Sequence, residues 1–343
     1  MLKGTTDSRT PFVSVGPREP ACAEQSARWE PRNGAPVQGR VGFVGLGRMG
    51  SAMAANLAAA GHQVIAYVRR TEQMAKLAAL GLEPTTNIAD VFDCEFVISM
   101  LPNDAAIREV VLGRQDLRGG GLAMGLAPGA IHLSMSTIST LTASQLAAEH
   151  ARYGQGYVAA PVFGNPDAAK ARELFVIAAG APADVERCRS ILDLLGQQTF
   201  LVGGAPATAN LIKLAGNAMS AATLELLGEV MALVRKRGLD PRELLAILTA
   251  TMFGGRLHRL YGDKIAGQQY ASGGFVFPLA LKDVRLALDE AEAVGVPMPS
   301  VSVVRDRLIT GIARGYSDLD WSALGLLAAE EAGLILEPAR AHA

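Results

Sequence analysis

The sequence predicts an α/β domain built on a parallel sheet, then an all-α C-terminal domain, the two joined by one long interdomain helix. Three observations carry that prediction. Short apolar runs alternate with helical or Gly/Pro-rich segments from Arg40 to Gly204, the pattern of a sheet whose strands are connected through helices. A glycine-spaced turn closes the first of those runs. After Gly203-Gly204 the strand pattern stops and a continuous apolar helix begins.

Residues 1–38 stand apart. Pro11, Pro17, Pro20, Pro31 and Pro36 interrupt a polar segment without apolar period, expected to be a flexible extension and lacking the apolar core of a secretory signal. Val41–Gly45 reads as the first strand, Ser51–Ala60 as a small-residue helix closed by Gly61, and His62–Val68 as the second strand. Strand, helix and strand at this spacing form a βαβ unit with parallel pairing and a right-handed crossover. Thr71 is expected to cap the next helix, with Met74 and Leu77 on its apolar side. Further strands are expected at Phe96–Met100, Ala130–Leu133, Gly156–Ala160, Leu174–Ala178 and Thr199–Val202, in a sheet covered on both faces.

Ala207–Arg237, bounded by Pro206 and Gly238, reads as a single helix roughly 45 Å long. It is apolar around most of its circumference and so should be buried on several sides. The rest, to about Ala332, reads as helical with breaks at Gly254-Gly255, Gly273-Gly274, Gly295 and Pro297. The expected divisions are thus 1–38, 39–204, 205–335 and a tail at 336–343.

Composition narrows the class. A chain of 343 residues suits two domains, since single cores seldom grow past roughly 250–300 residues. Half the residues are hydrophobic and 19% charged, enough for a packed core. A net charge of −1 argues against nucleic acid or an anionic membrane as partner, and no apolar run of about 18 residues is evident to span a bilayer. Arg235-Lys236-Arg237, the longest basic run, falls at a helix end, where cations complement the dipole. Cys22, Cys94 and Cys188 form no CxxC, so a reducing, cytoplasmic setting is expected. The five histidines are isolated in sequence, and no metal site is expected.

Gly45-Leu46-Gly47-Arg48-Met49-Gly50 is G-x-G-x-x-G. The first glycine permits the turn, the second lets a pyrophosphate approach the backbone, and the third lets helix and strand pack closely. Free N–H groups at the helix start then hold the anion. In a chain with 37 glycines the motif alone is weak; its place between strand and helix of a βαβ unit makes it specific. An NAD site would place Asp or Glu about 20 residues on. This chain has Arg69-Arg70-Thr71 there, and two guanidinium groups suit a ribose 2′-phosphate. The bland reading is two solvated arginines. NADP(H) is therefore preferred, with NAD(H) possible.

Within the long helix, Lys213 and Asn217 are spaced i, i+4 and share a face. Burial would draw the lysine toward the range useful for acid–base work; the bland reading is a lysine snorkelling to the surface.

With these blocks in this order, the chain from about Arg40 to Ile335 resembles the β-hydroxyacid dehydrogenase family, which includes 3-hydroxyisobutyrate dehydrogenases, tartronate semialdehyde reductases and glyoxylate/succinic semialdehyde reductases. The resemblance implies an α/β Rossmann domain for the first half. It also implies roles: Leu101-Pro102 as the loop over the cofactor, Ser136 and Thr137 as a substrate element, and Lys213 and Asn217 as catalytic lysine and partner. Lys282-Asp283 resembles the late motif whose lysine contacts cofactor, with Asp283 toward substrate, and Phe275 falls where some semialdehyde reductases place a pocket phenylalanine. The family's substrate loop, Asp-Ala-Pro-Val-Ser-Gly-Gly, is here Ala159-Ala160-Pro161-Val162-Phe163-Gly164-Asn165. Phe163 cannot donate a hydrogen bond, so a bulkier or less charged carbonyl than a short polar acid is expected. Ala207 and Ala209 replace glycines usual before the lysine. The implied activity is hydride transfer between NADP(H) and a small carbonyl or hydroxy-acid substrate, in a homodimer or higher homo-oligomer. The alternatives are an imine reductase-like enzyme and a catalytically silent dinucleotide-binding protein.

Overall fold

The computed structural model describes residues 39–113, 120–271 and 274–335. The expected extension at 1–38, the tail at 336–343, and Gly273 lie outside them. The described strands are β1 (Arg40–Val44), β2 (Gln63–Tyr67), β3 (Glu83–Thr85), β4 (Phe96–Ser99), β5 (Ile131–Ser134), β6 (Gly156–Ala159), β7 (Val162–Phe163), β8 (Leu174–Ala178) and β9 (Gly196–Leu201). The first six form one sheet in the order β3-β2-β1-β4-β5-β6, and every pair is parallel. Strand order reverses between β1 and β4, and in such a sheet the crevice at the carboxyl ends there takes ligands.

Alternation along each strand divides the buried side chains between two cores. Val41, Phe43, Val64, Ala66, Ile98 and Val158 enter one, with Met53, Ala54 and Leu57 of the helix Arg48–Ala59. Val44, Ile65, Tyr67, Val97 and Tyr157 enter the other, with Ile107, Val111 and Leu146 from later helices. Period-two side-chain geometry thus covers both faces, as the near-continuous apolar strands require.

Several expectations need correction. The strands do not share one sheet: β7, β8 and β9 form a second, with β7 antiparallel to β8 and β8 parallel to β9. Pro161 follows β6 and the chain crosses over, leaving only an isolated bridge between Ala159 and Ala179. Thr71 does not cap a helix. It begins a 3-10 turn, Thr71–Gln73, without side-chain capping, and the α-helix is only Met74–Ala78. The histidines are not all isolated either: His132 Nδ1 and His150 Nε2 lie 2.9 Å apart in the core, and burial pulls both rings below their ordinary range.

The long helix runs Pro206–Lys236, with proline at its start, where the missing N–H costs nothing. Proline likewise opens Pro241–Ala250 and Pro299–Ala313. These, with Arg256–Ala266, Phe277–Ala293 and Leu324–Glu331, build a third core around Leu214, Leu224, Phe277 and Trp321. By length and composition the Pro206–Lys236 helix is apolar enough to cross a membrane, so the length argument against such a segment fails. Half of its most apolar window is buried within the protein.

Candidate active site

The three motif glycines are explained separately by the geometry. Gly45 has φ +94°, and a Cβ there would lie 2.4 Å from Met100 O. Gly50 leaves room for the backbone, since its Cβ would lie 2.0 Å from Gly45 O. Gly47, the N-cap of Arg48–Ala59, faces nothing within 4 Å. A crowded glycine on each side of an open one is a cradle for an anion, and no acidic side chain occupies the first turn. Leu46 and Met49 back the turn against the core, and Arg48 is exposed. At the end of β2, Arg69, Arg70 and Thr71 are all exposed.

On the other side of the crevice, Leu101 N–H donates to Ser136 Oγ over 2.8 Å. Ser136 is fully buried, so in this structure it ties the Leu101-Pro102 loop after β4 to the loop after β5. Thr137 O accepts a 2.6 Å hydrogen bond from Lys282 Nζ, which also pairs with Asp283 Oδ1 at 2.6 Å. Lys282 and Asp283 lie on Phe277–Ala293, so this cation fastens the helical region to the β5 loop.

Lys213 projects from the long helix at only 8% exposure. Its Nζ donates to Asn217 Oδ1 over 2.8 Å, and Asn217 Nδ2 donates onward to Asp283 Oδ2. Burial draws its ammonium from 10.5 to about 8, with Asp283 opposing the shift and Lys282 adding to it. A buried lysine near neutrality can give or take a proton. Nζ also sits 4.3 Å from the centroid of the Phe163 ring.

Not every expected residue turns toward this lysine. Asn165 Oδ1 caps the helix Pro166–Lys170, accepting from Ala168 N–H at 2.8 Å. Gly164, at φ +143°, supplies the bend between Phe163 and that cap. Phe275 packs edge-on against Trp321, with centroids 5.0 Å apart, in the helical core. Two neighbours had escaped notice. Asn210 Oδ1 accepts from Ile138 N–H at 3.3 Å, holding the β5 loop to the long helix, while its buried Nδ2 has no partner among the described residues. Gly216 makes room for Phe163, whose ring would lie 2.3 Å from a Cβ there. The i−3, i, i+4 spacing of Asn210, Lys213 and Asn217 could have revealed the first; nothing in the sequence pairs Gly216 with Phe163.

An anion cradle at the switch point of a parallel sheet, followed by a helix that carries a buried, hydrogen-bonded lysine, is the arrangement of a dinucleotide-dependent oxidoreductase. Residues 40–204 match the family described as the NAD binding domain of 6-phosphogluconate dehydrogenase. Residues 207–328 match the family described as NAD-binding of NADP-dependent 3-hydroxyisobutyrate dehydrogenase. The chain is 37% identical to the uncharacterized oxidoreductase YfjR of Bacillus subtilis, over 83% of its own length and 98% of the relative's. It is 30% identical to 2-hydroxy-3-oxopropionate reductase of Escherichia coli, covering 83% and 95% respectively. A solved 3-hydroxyisobutyrate dehydrogenase of Mycobacterium tuberculosis, with L-serine, superposes with a TM-score of 0.75 at 25% identity, covering 85% of this chain and 99% of that one. The chain belongs to the β-hydroxyacid dehydrogenase family and is an NAD(P)-dependent oxidoreductase.

Proposed function

We propose that this enzyme transfers a hydride between NADP(H) and a small carbonyl or hydroxy compound, of the semialdehyde or β-hydroxyacid type, with Lys213 as general acid and base. The observation that carries this reading is the buried ammonium at about 8, hydrogen-bonded through Asn217 to Asp283. When bound, the nicotinamide supplies or accepts the hydride. In reduction, protonated Lys213 donates from Nζ to the carbonyl oxygen and releases its proton as the alkoxide forms. In oxidation, neutral Nζ takes the hydroxyl proton. Asn217 fixes the ammonium, and Asp283 fixes which way the Asn217 amide faces.

Gly45, Gly47 and Gly50 would hold the pyrophosphate, and Arg69 and Arg70 favour a 2′-phosphate over a bare ribose, leaving NAD(H) as the weaker cofactor. The printed names of the relatives, a hydroxy-oxopropionate reductase and a hydroxyisobutyrate dehydrogenase, support a small carbonyl or hydroxy-acid substrate. We place the enzyme in the cytoplasm, on the two buried free thiols Cys94 and Cys188, and expect a homodimer or higher homo-oligomer. An intact buried Lys213 weighs against both an imine-reducing enzyme and a silent one.

The test is Lys213→Met, which keeps the aliphatic stem and removes the charge. Turnover of an aldehyde and semialdehyde panel with NADPH should fall about 10²–10⁴-fold, with NADPH affinity preserved. Near-full turnover in that variant would refute the assignment.

A further inference from the structure

Phe163 sits where its ring can decide what Lys213 is able to hold. The ring faces Nζ at 4.3 Å and fits a notch that exists only because residue 216, one turn along the same helix, has no side chain. An ammonium has three N–H donors. One goes to Asn217 Oδ1, and the aromatic face covers Nζ from the Phe163 side, an arrangement that favours the cation. What remains suits one acceptor, the carbonyl oxygen. The nearby cation Lys282 is engaged by Thr137 O and Asp283, and these two, Asp283 and Lys282, are the charges that act on Lys213. The loop itself contributes no charged or hydroxyl side chain from Ala159 to Asn165, and Asn165 spends its oxygen on a helix cap.

We propose that Phe163, seated against Gly216, is the specificity-determining residue of this site, and that it narrows the small-carbonyl reading above to aldehydes or ketones with an apolar substituent where semialdehydes and β-hydroxyacids bear a carboxylate. A carboxylate entering here would lose its water and find an aromatic face beside the lysine in place of a donor, an uncompensated desolvation. An alkyl group would instead bury apolar surface against the ring. This inference rests on the carbonyl-reducing role of Lys213 proposed above.

The experiment compares butanal with 4-oxobutanoate, which differ in a terminal methyl against a carboxylate, by kcat/KM with NADPH. The unmodified enzyme should favour butanal by about tenfold or more, the scale on which one pocket contact discriminates. Phe163→Ser should lower that ratio by at least a similar factor. Phe163→Leu, which keeps an apolar filling but no ring, should preserve it, while the alkaline limb of reduction moves to lower pH as the ammonium loses the aromatic face. Gly216→Ala should change the ratio in the Phe163 enzyme and leave it unchanged in the Phe163→Ser background, because only the ring occupies the notch. A preference for 4-oxobutanoate in the unmodified enzyme, or a ratio indifferent to Phe163→Ser, overturns this inference alone. Absence of turnover on both aldehydes overturns with it the carbonyl-reducing role proposed for Lys213.

Discussion

At Lys213 the chemistry and the stability of the protein pull in opposite directions. Its ammonium is drawn from 10.5 to about 8, so below pH 8 the residue is charged in both folded and unfolded states and the fold bears the full cost of burying it. As pH rises from 8 to 10.5 the unfolded chain holds the proton more tightly than the folded one, and the cost is progressively relieved; above 10.5 it is gone. At 1.36 kcal/mol per unit the penalty is about 3 kcal/mol near neutrality. Lys213→Met should therefore raise the thermal midpoint at pH 7 while abolishing most turnover, a pairing that scanning calorimetry alongside activity will check. The same titration sets the pH profile: reduction, which needs the protonated lysine, should decline as pH rises through about 8, and oxidation should increase there. A flat profile across pH 7–9 in both directions would contradict the acid–base role. Arg70 bears on the proposed cofactor preference. Exposed at the end of β2, it can be replaced without disturbing the core, so Arg70→Ala should raise the KM for NADPH by about tenfold, worth 1.4 kcal/mol, and leave that for NADH nearly unchanged.

Among the elements, the glycine turn separates folding from binding most cleanly. In an exposed helix interior Gly→Ala stabilises by roughly 0.5–1 kcal/mol. At Gly50 the added Cβ would meet Gly45 O at 2.0 Å, and that clash outweighs the helix gain. Gly50→Ala should lower both the thermal midpoint and NADPH affinity. Gly47, with φ −76° and open space before it, tolerates alanine sterically. Gly47→Ala should keep the midpoint and still weaken NADPH, because its Cβ would occupy the approach of the pyrophosphate. Equal effects of the two substitutions on the midpoint, read by thermal unfolding, would contradict this division of roles. The β5 loop shows the same economy of means: Asn210, Ser136 and Lys282 tie it to the long helix, to the β4 loop and to Phe277–Ala293, so its geometry is held from three sides before any ligand arrives.

For the whole molecule, the long helix leaves one stripe unburied. Leu211, Met219, Leu226 and Leu233 are 47%, 73%, 59% and 61% exposed, at spacings of eight and seven residues that keep them along one face. A contiguous apolar face of that length is unusual on a monomer and suits an isologous contact with a second copy. Sedimentation at micromolar concentration should show a dimer or larger, and Met219→Asp with Leu226→Asp should release monomers. A monomeric unmodified protein would refute the assembly.

The local sequence determined what depends on local physics. Apolar runs and glycine spacing placed β1, the Arg48–Ala59 helix and β2 around the cofactor turn, because steric demands on glycine and the apolar period act over a few residues. Pro206 and Gly238 as the bounds of the long helix were legible for the same reason, as were Lys213 and Asn217 on one helical face. Thr71 misled because a capping residue type says nothing about whether the following turn tightens to 3-10. The split into two sheets was hidden because β8 and β9 read as strands whichever neighbours they pair with. Tertiary structure alone decided that His132 meets His150, that Asp283 orients Asn217, and that Phe163 seats against Gly216 over the lysine. Each joins residues from separate elements, and side-chain contact across such distances is set by how whole elements pack, a property that no window of the sequence contains.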